Sequence, residues 1–384
     1  MFPPATKKQM QDMGWDSLDV ILVTGDAYLD VPHMGVAVIA NVLMAAGFRT
    51  GVIAQPDMAD GADIVRLGEP ELFWGVTGGC MDSMVANYTA SGKKRKSDDL
   101  TAGGQNTRRP DRAVIAYTNL IRRHFKNTRP IVLGGMEASL RRISHYDFKT
   151  NKVRRSILFD AKADVLVYGM GEKTVLELAG RLQGGQDFTD LRGICYAAAQ
   201  KPEGFPELPA HAKAAADKDA FVEMFAGFYK NTDPVRARGL CQLQDTRYLV
   251  CNPPQFPVSQ QEIDRIHELD YRRRAHPAHA DQGKVRALDT IAFSIISHRG
   301  CYGECHFCAI TALQGKTVIS RSRPSILREA ESLARHPDFK GVISDVGGPT
   351  ANMYEIECKK KATHGACIRK RCLGDRVCPE LAVD

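Results

Sequence analysis

The chain predicts an α/β protein, with a parallel sheet flanked by helices over its first two hundred residues and the opening of a parallel (β/α) barrel near its end. Three observations predict this. Short β-rich runs alternate with helical periodicity from 19 to about 200, as a sheet covered by helices requires. Glycines follow those runs, in Thr24-Gly25-Asp26, Thr77-Gly78-Gly79, Gly134-Gly135 and Gly169-Met170-Gly171, where tight strand-to-helix turns are needed. A second strand and helix alternation begins at 289 around a cysteine-rich loop. The domains are therefore read as 1–200, a connector 201–288, and 289–384 as the start of the barrel.

In order, the first part reads as a strand Val20–Thr24, a helix 35–47, strands Thr50–Ala54 and 72–77, a helix 113–125, strands 130–133 and 164–168, and a helix 173–182. Ligands of such sheets sit at the carboxyl ends of the strands. None of the glycine turns completes GxGxxG, so a nicotinamide dinucleotide is not expected. The connector is Pro-rich, with a helical run 212–228, a strand Arg247–Cys251 and a capped helix 259–271. The last part holds an apolar strand-like run 289–297, a helix 324–335, and a strand 341–346 that ends in Gly347-Gly348-Pro349.

Composition narrows the class of protein. Hydrophobic residues make up 43% of 384, enough to bury sizeable cores, and Lys plus Arg exceed Asp plus Glu by 52 to 45, a mild excess that suits an anionic partner without requiring one. No run reaches the roughly 20 apolar residues of a membrane span, and the amino terminus lacks the apolar core of a signal peptide. A cytoplasmic location follows, where eleven cysteines would not pair as disulfides and metal binding explains those that cluster. The most basic stretch, 91–112, reads as a mobile, solvated loop, since no aromatic residue interleaves its charges to stack on bases.

Cys301, Cys305 and Cys308 lie within eight residues in the run GCYGECHFCA at 300–309. A [4Fe–4S] cube takes one thiolate on each iron, so three cysteines leave one iron open. The spacing CxxxCxxC, with Phe307 before the third cysteine, is similar to the loop of radical S-adenosylmethionine (radical SAM) enzymes. On that resemblance S-adenosylmethionine (SAM) would chelate the open iron and be split reductively to a 5′-deoxyadenosyl radical. Gly347, Gly348 and Pro349 would take the methionine amine, and Phe307 would wall the adenine. The other account of the same thiolates is zinc or an inert structural cluster, although structural zinc loops usually pair CxxC with a distant second pair.

A second group, Cys358, Cys367, Cys372 and Cys378, could close a zinc or iron–sulfur site completely. Its basic neighbours favour thiolates. From this group comes the alternative function, a non-catalytic metal-binding or RNA-interaction protein. Cys80, Cys195, Cys241 and Cys251 stand singly in apolar surroundings and read as core residues.

The segments VTGDAY at 23–28, 51–57, Gly75-Val-Thr77, Met81-Asp-Ser-Met84, GGMEAS at 134–139, YGMGE at 168–172, 300–310, Ser320-Arg-Ser322 and GGPTANMY at 347–354 span most of the chain. Together they resemble the YgiQ family of radical SAM proteins. The resemblance implies a Rossmann-like amino-terminal domain similar to cobalamin-binding domains, then a radical SAM barrel acting on an unknown substrate, with a reductant such as flavodoxin or ferredoxin. The loop Asp30-Val-Pro-His33-Met-Gly35 departs from the Asp-x-His-x-x-Gly pattern of a cobalamin ligand, so His33 reads as an ordinary loop histidine and cobalamin is not expected. A barrel of this type takes roughly 200 residues or more. So little chain follows Cys301 that a product shortened at its carboxyl end is expected.

Overall fold

The computed structural model describes residues 1–348, 352–367, 371–374 and 376–382. Pro349 lies outside the described residues.

In chain order the strands are β1 (Val20–Thr24), β2 (Thr50–Ala54), β3 (Phe73–Thr77), β4 (Ile131–Gly134), β5 (His145–Asp147), β6 (Lys152–Arg154), β7 (Val165–Val167), β8 (Ile194–Ala198), β9 (Glu207–Leu208), β10 (Leu240–Gln244) and β11 (Arg247–Cys251). The pair β5–β6 is a separate hairpin; the other nine form one sheet in the order β2-β1-β3-β4-β7-β8-β11-β10-β9. From β2 to β7 every pairing is parallel, and β8, β11 and β10 follow in antiparallel steps. The VILVT run of β1 is buried at all five positions, as a strand covered on both faces must be.

Helices bury both faces. Val114, Tyr117, Leu120 and Ile121 recur at helical spacing along Ala113–His124 and join a core with Ile21, Val23, Trp74 and Leu133. Across the sheet, Gly35–Ala45 and Glu172–Gln183 pack Ala37, Leu43, Leu178 and Ala179 against Val20, Leu22, Val52 and Val132.

Several expectations are corrected. The stretch 201–288, expected as a connector, supplies β9, β10 and β11 to the far edge of the sheet. The polar residues Gln242 and Gln244 hide that strand in the sequence; both are buried, and their amides are satisfied by Pro209 O (2.9 Å) and by Ser156 N–H (3.1 Å). The helical run 212–228 divides into His211–Ala216 and Lys218–Lys230, because the Asp217 side chain caps a new helix by accepting from Asp219 N. The loop 91–112 is not freely solvated. Its Arg109 is 1% exposed and pairs with Asp26 (2.6 Å) and Asp98 (2.9 Å), so opposite charges within and beside the stretch fold it onto the sheet.

After the sheet, the expected strand 289–297 opens as a short helix, Leu288–Ile291, with Asp289 in its first turn where an acidic side chain favours the helix. Strand β12 is only Ser294–Ile296. Then come β13 (His298–Arg299), β14 (Ile319–Ser320), the helix Arg323–Ala334 capped by Ser322, and β15 (Asp345–Gly347). β15 runs parallel to β12 across that helix.

Candidate functional site

Thr24, Thr77 and Gly134 stand side by side in the register of β1, β3 and β4. The turns that follow these strands therefore open at one edge. Over that edge lies a cavity of about 410 Å³, within the usual range of ligand sites. Ile39, Phe73, Val76, Leu133 and Val167 give it apolar walls, while Gly79, Gly135, Gly169 and Gly171 bring backbone to its surface. Its opposite side comes from the region of the cysteine loop: His298 and Arg299 of the strand that leads into Cys301, Leu313 and Gln314 of the helix that leaves the loop, and Gly347 with Gly348.

Three polar atoms of cavity-lining residues are buried with no hydrogen-bond partner among the described residues: His33 Nδ1, Glu172 Oε2 and His298 Nε2. A buried polar atom without a partner is costly, and a ligand is one way to supply it. Glu172 spends its other oxygen on Arg299 (2.6 Å), both side chains being buried. This pair joins the helix after β7 to the strand before Cys301. Burial draws the His33 pKa down to about 4, Arg273 adding to the effect and Asp345 opposing it, so the ring is neutral at pH 7. Burial likewise lowers His298. At the rim, Asp26 accepts from Cys80 N (2.6 Å) and Arg109, and its carboxyl is raised by burial in spite of the guanidinium.

Gly348 meets the cavity at a point where only glycine fits. A Cβ there would stand 2.2 Å from His298 Nε2, so the imidazole lies directly against the Gly348 backbone. The expected turn at Gly347 and Gly348 thus faces the same space as the cysteine loop's approach strand.

In the loop, Cys301 is buried, Cys308 is half-buried and Cys305 is exposed. Gly303 N–H donates to Cys301 Sγ (3.2 Å), and a Cβ on Gly303 would touch the sulfurs of both Cys301 and Cys305 at 3.3 and 3.4 Å. Cys308 N–H closes the bend on Cys305 O (3.0 Å). Glu304, at φ 47°, anchors the bend from outside by accepting from Tyr229 OH (2.7 Å) and Lys316 Nζ (2.9 Å). Burial works against its ionisation, yet these two donors hold its pKa below the usual value. Among the described residues no three His, Cys, Asp or Glu side chains converge on one point as around a single metal ion. A cube does not need that convergence, since each thiolate sits on its own iron. Three thiols on one tight bend, with a backbone N–H directed at a sulfur, suit such a cluster.

Phe307 is 94% exposed and is not among the residues that line the cavity. Cys358, Cys372 and Cys378 are buried and Cys367 is half-buried. Cys195 and Cys251 face each other across β8 and β11 in the core, whereas Cys80 lines the cavity. His33, read from sequence as an ordinary loop histidine, lines the cavity as well. Glu172, His298 and Arg299 went unnoticed in the sequence as site residues. Their positions carried a signal, a polar residue at a strand end and two more immediately before the loop.

The sequence model of a family described as Radical SAM N-terminal matches residues 2–294. A UPF0313 protein of Fusobacterium nucleatum is 53% identical over 384 residues, covering all of this chain and 68% of that protein. A UPF0313 protein of Thermotoga petrophila is 52% identical over 381 residues, covering 98% of this chain and 67% of that protein, and one of Methanocella arvoryzae is 50% identical over 384 residues, covering 99% and 64%. The chain thus spans about two thirds of the length of these relatives. Among solved structures it is similar to the radical SAM methyltransferase TsrM of Kitasatospora setae with cobalamin and a [4Fe–4S] cluster bound, at TM-score 0.45 and 19% identity, covering 83% of this chain and 47% of that one.

Proposed function

Since the chain belongs to the UPF0313 family, the YgiQ family of radical SAM proteins, we propose that it is an iron–sulfur enzyme that cleaves SAM reductively and directs the resulting radical at a substrate held in the cavity. One observation carries this reading. The strand entering the three-cysteine loop and the helix leaving it both line a cavity that the glycine turns of the sheet complete.

Cys301, Cys305 and Cys308 would hold a [4Fe–4S] cluster, and the Gly303 N–H would stabilise the Cys301 thiolate. When bound, cluster and SAM together supply a 5′-deoxyadenosyl radical for hydrogen abstraction. Gly347, Gly348 and Pro349 would take the methionine end of SAM, and Phe307, exposed here, would fold against its adenine. His298, seated on the Gly348 backbone with Nε2 free of partners among the described residues, would position that end. The apolar walls exclude water from the substrate. His33 and Glu172 offer it two hydrogen-bonding atoms. Electrons would come from a small carrier such as flavodoxin or ferredoxin. No disulfide joins the described cysteines, and no helix among the described residues is long and apolar enough to cross a membrane.

The test is anaerobic reconstitution with iron and sulfide, then reduction in the presence of SAM. A brown protein that forms 5′-deoxyadenosine, and a Cys305→Ala variant that forms only background amounts, are expected. Full cofactor splitting by Cys305→Ala would refute the assignment.

A further inference from the structure

Three members of the second cysteine group are gathered in space as well as in sequence. Cys358, Cys372 and Cys378 are 7%, 4% and 8% exposed and share one small core with Cys301, Tyr302, Val318, Met353 and Leu381. Cys378 N–H donates to Cys372 O (2.9 Å), turning the two sulfur-bearing residues back on one another. Just ahead of Cys367, Ala366 N–H is held by Asp233 Oδ2 (2.8 Å), which ties this segment to the stretch before β10.

Inside that core lies Lys361, 2% exposed. Its ammonium donates to Lys316 O (2.9 Å), bonds the Cys372 thiol, and stands 4.8 Å from the centre of the Tyr302 ring. Among the described residues no carboxylate lies within ion-pair distance of it; Glu304, a carboxylate that feels its charge, is paired instead with Lys316. A buried ammonium needs an anion, and neutral thiols and a carbonyl do not supply one. Four thiolates around a metal centre would, because their summed charge exceeds that of the centre. Zinc and an iron–sulfur cube both fulfil that need, and the metal taken up on reconstitution separates them. Three of these thiols share one core with Cys301, and four protein thiolates would complete a cube with each sulfur on a separate iron.

We propose that Cys358, Cys367, Cys372 and Cys378 hold a second [4Fe–4S] cluster, fully ligated by protein and packed beside the first, with Lys361 as its buried counter-cation. Having no open iron, this cluster would not bind SAM. It does not depend on the proposed function, because it uses none of the cysteines of the 301–308 loop.

Anaerobically reconstituted full chain should contain about eight irons and eight acid-labile sulfides, two cubes' worth. A variant with Cys301, Cys305 and Cys308 all changed to Ala should keep about four of each and give a cluster signal in electron paramagnetic resonance after reduction. Adding Cys372→Ala to that variant should abolish both. An unaltered chain with only about four irons whose whole cluster signal changes on addition of SAM, or one that takes up zinc at one equivalent in place of the second cube, would overturn the proposal, and neither result depends on a variant's folding. Failure of SAM cleavage with eight irons present would count against the proposed function alone.

Discussion

The sheet and the cysteine-bearing region are built on different physics. In the sheet, β1 is paired on both sides over all five residues, and Ile21, Val23, Trp74 and Leu133 are fully out of water, so burial of apolar surface is its main source of stability. After 289 the strands among the described residues are two or three residues long and pair only in twos. Val342 and Val346 are 68% and 56% exposed. What holds this region is largely polar: Glu329 bridges Arg273 and Arg321, Arg321 also donates to Ile296 O (2.9 Å) and Ser325 Oγ (2.8 Å), and the small core beyond sets Cys301, Cys358, Cys372, Cys378 and Met353 beside Tyr302, Val318 and Leu381. The contrast teaches that the first region draws on its apolar content, whereas the second, on the proposed clusters, would have its stability tied to the metal its thiols bind.

That contrast breaks most visibly under metal removal. Hydrogen exchange on iron-free and reconstituted chain should show the amides of 352–367 losing protection on the order of 5 kcal/mol or more without metal, while those of β1, β3 and β4 change little. Equal protection in both preparations would mean that the second region stands without its clusters. A smaller effect is expected where the regions meet. Arg299→Met leaves the Glu172 carboxylate buried and unpaired and should cost about 3–5 kcal/mol in denaturant melts, most of it recovered by adding Glu172→Leu. A cost under about 1 kcal/mol would show that the pair does not couple them.

The smallest effect lies within the sheet half. Burial draws the His276 pKa down to about 4 from 6.5; its Nδ1 accepts from Ala278 N–H, so Nε2 carries the proton donated to Pro3 O. The unfolded chain then binds more protons than the folded one between those two values, so stability rises with pH across that window and is lost on acidification through it. Up to about 3 kcal/mol should disappear between pH 7 and pH 4, and His276→Gln should flatten that slope in urea melts at stepped pH. An unchanged slope would place the acid sensitivity elsewhere.

Much of the fold was legible because it obeys simple periodicities. The run Val20–Thr24 and the 3.6-residue spacing of Val114, Tyr117 and Ile121 announce their elements directly. Strand β10 did not, since Gln242 and Gln244 are polar residues made tolerable in a sheet by distant partners. The same limit applied to 91–112, where Arg109 reads as solvated until Asp26, 83 residues away, is brought against it. At the site the cysteine loop was plain from spacing alone. His33, Glu172 and His298 were not, because what marks them is a missing partner inside a cavity, and a cavity exists only once β1, β3, β4 and β7 are aligned beneath the loop.

The most direct measurement is the electron paramagnetic resonance spectrum of anaerobically reduced, reconstituted chain before and after addition of SAM. An iron left open by Cys301, Cys305 and Cys308 predicts a spectrum that changes on SAM binding, in the wild-type chain and not in Cys305→Ala. A cluster spectrum indifferent to SAM in the wild-type chain would contradict it.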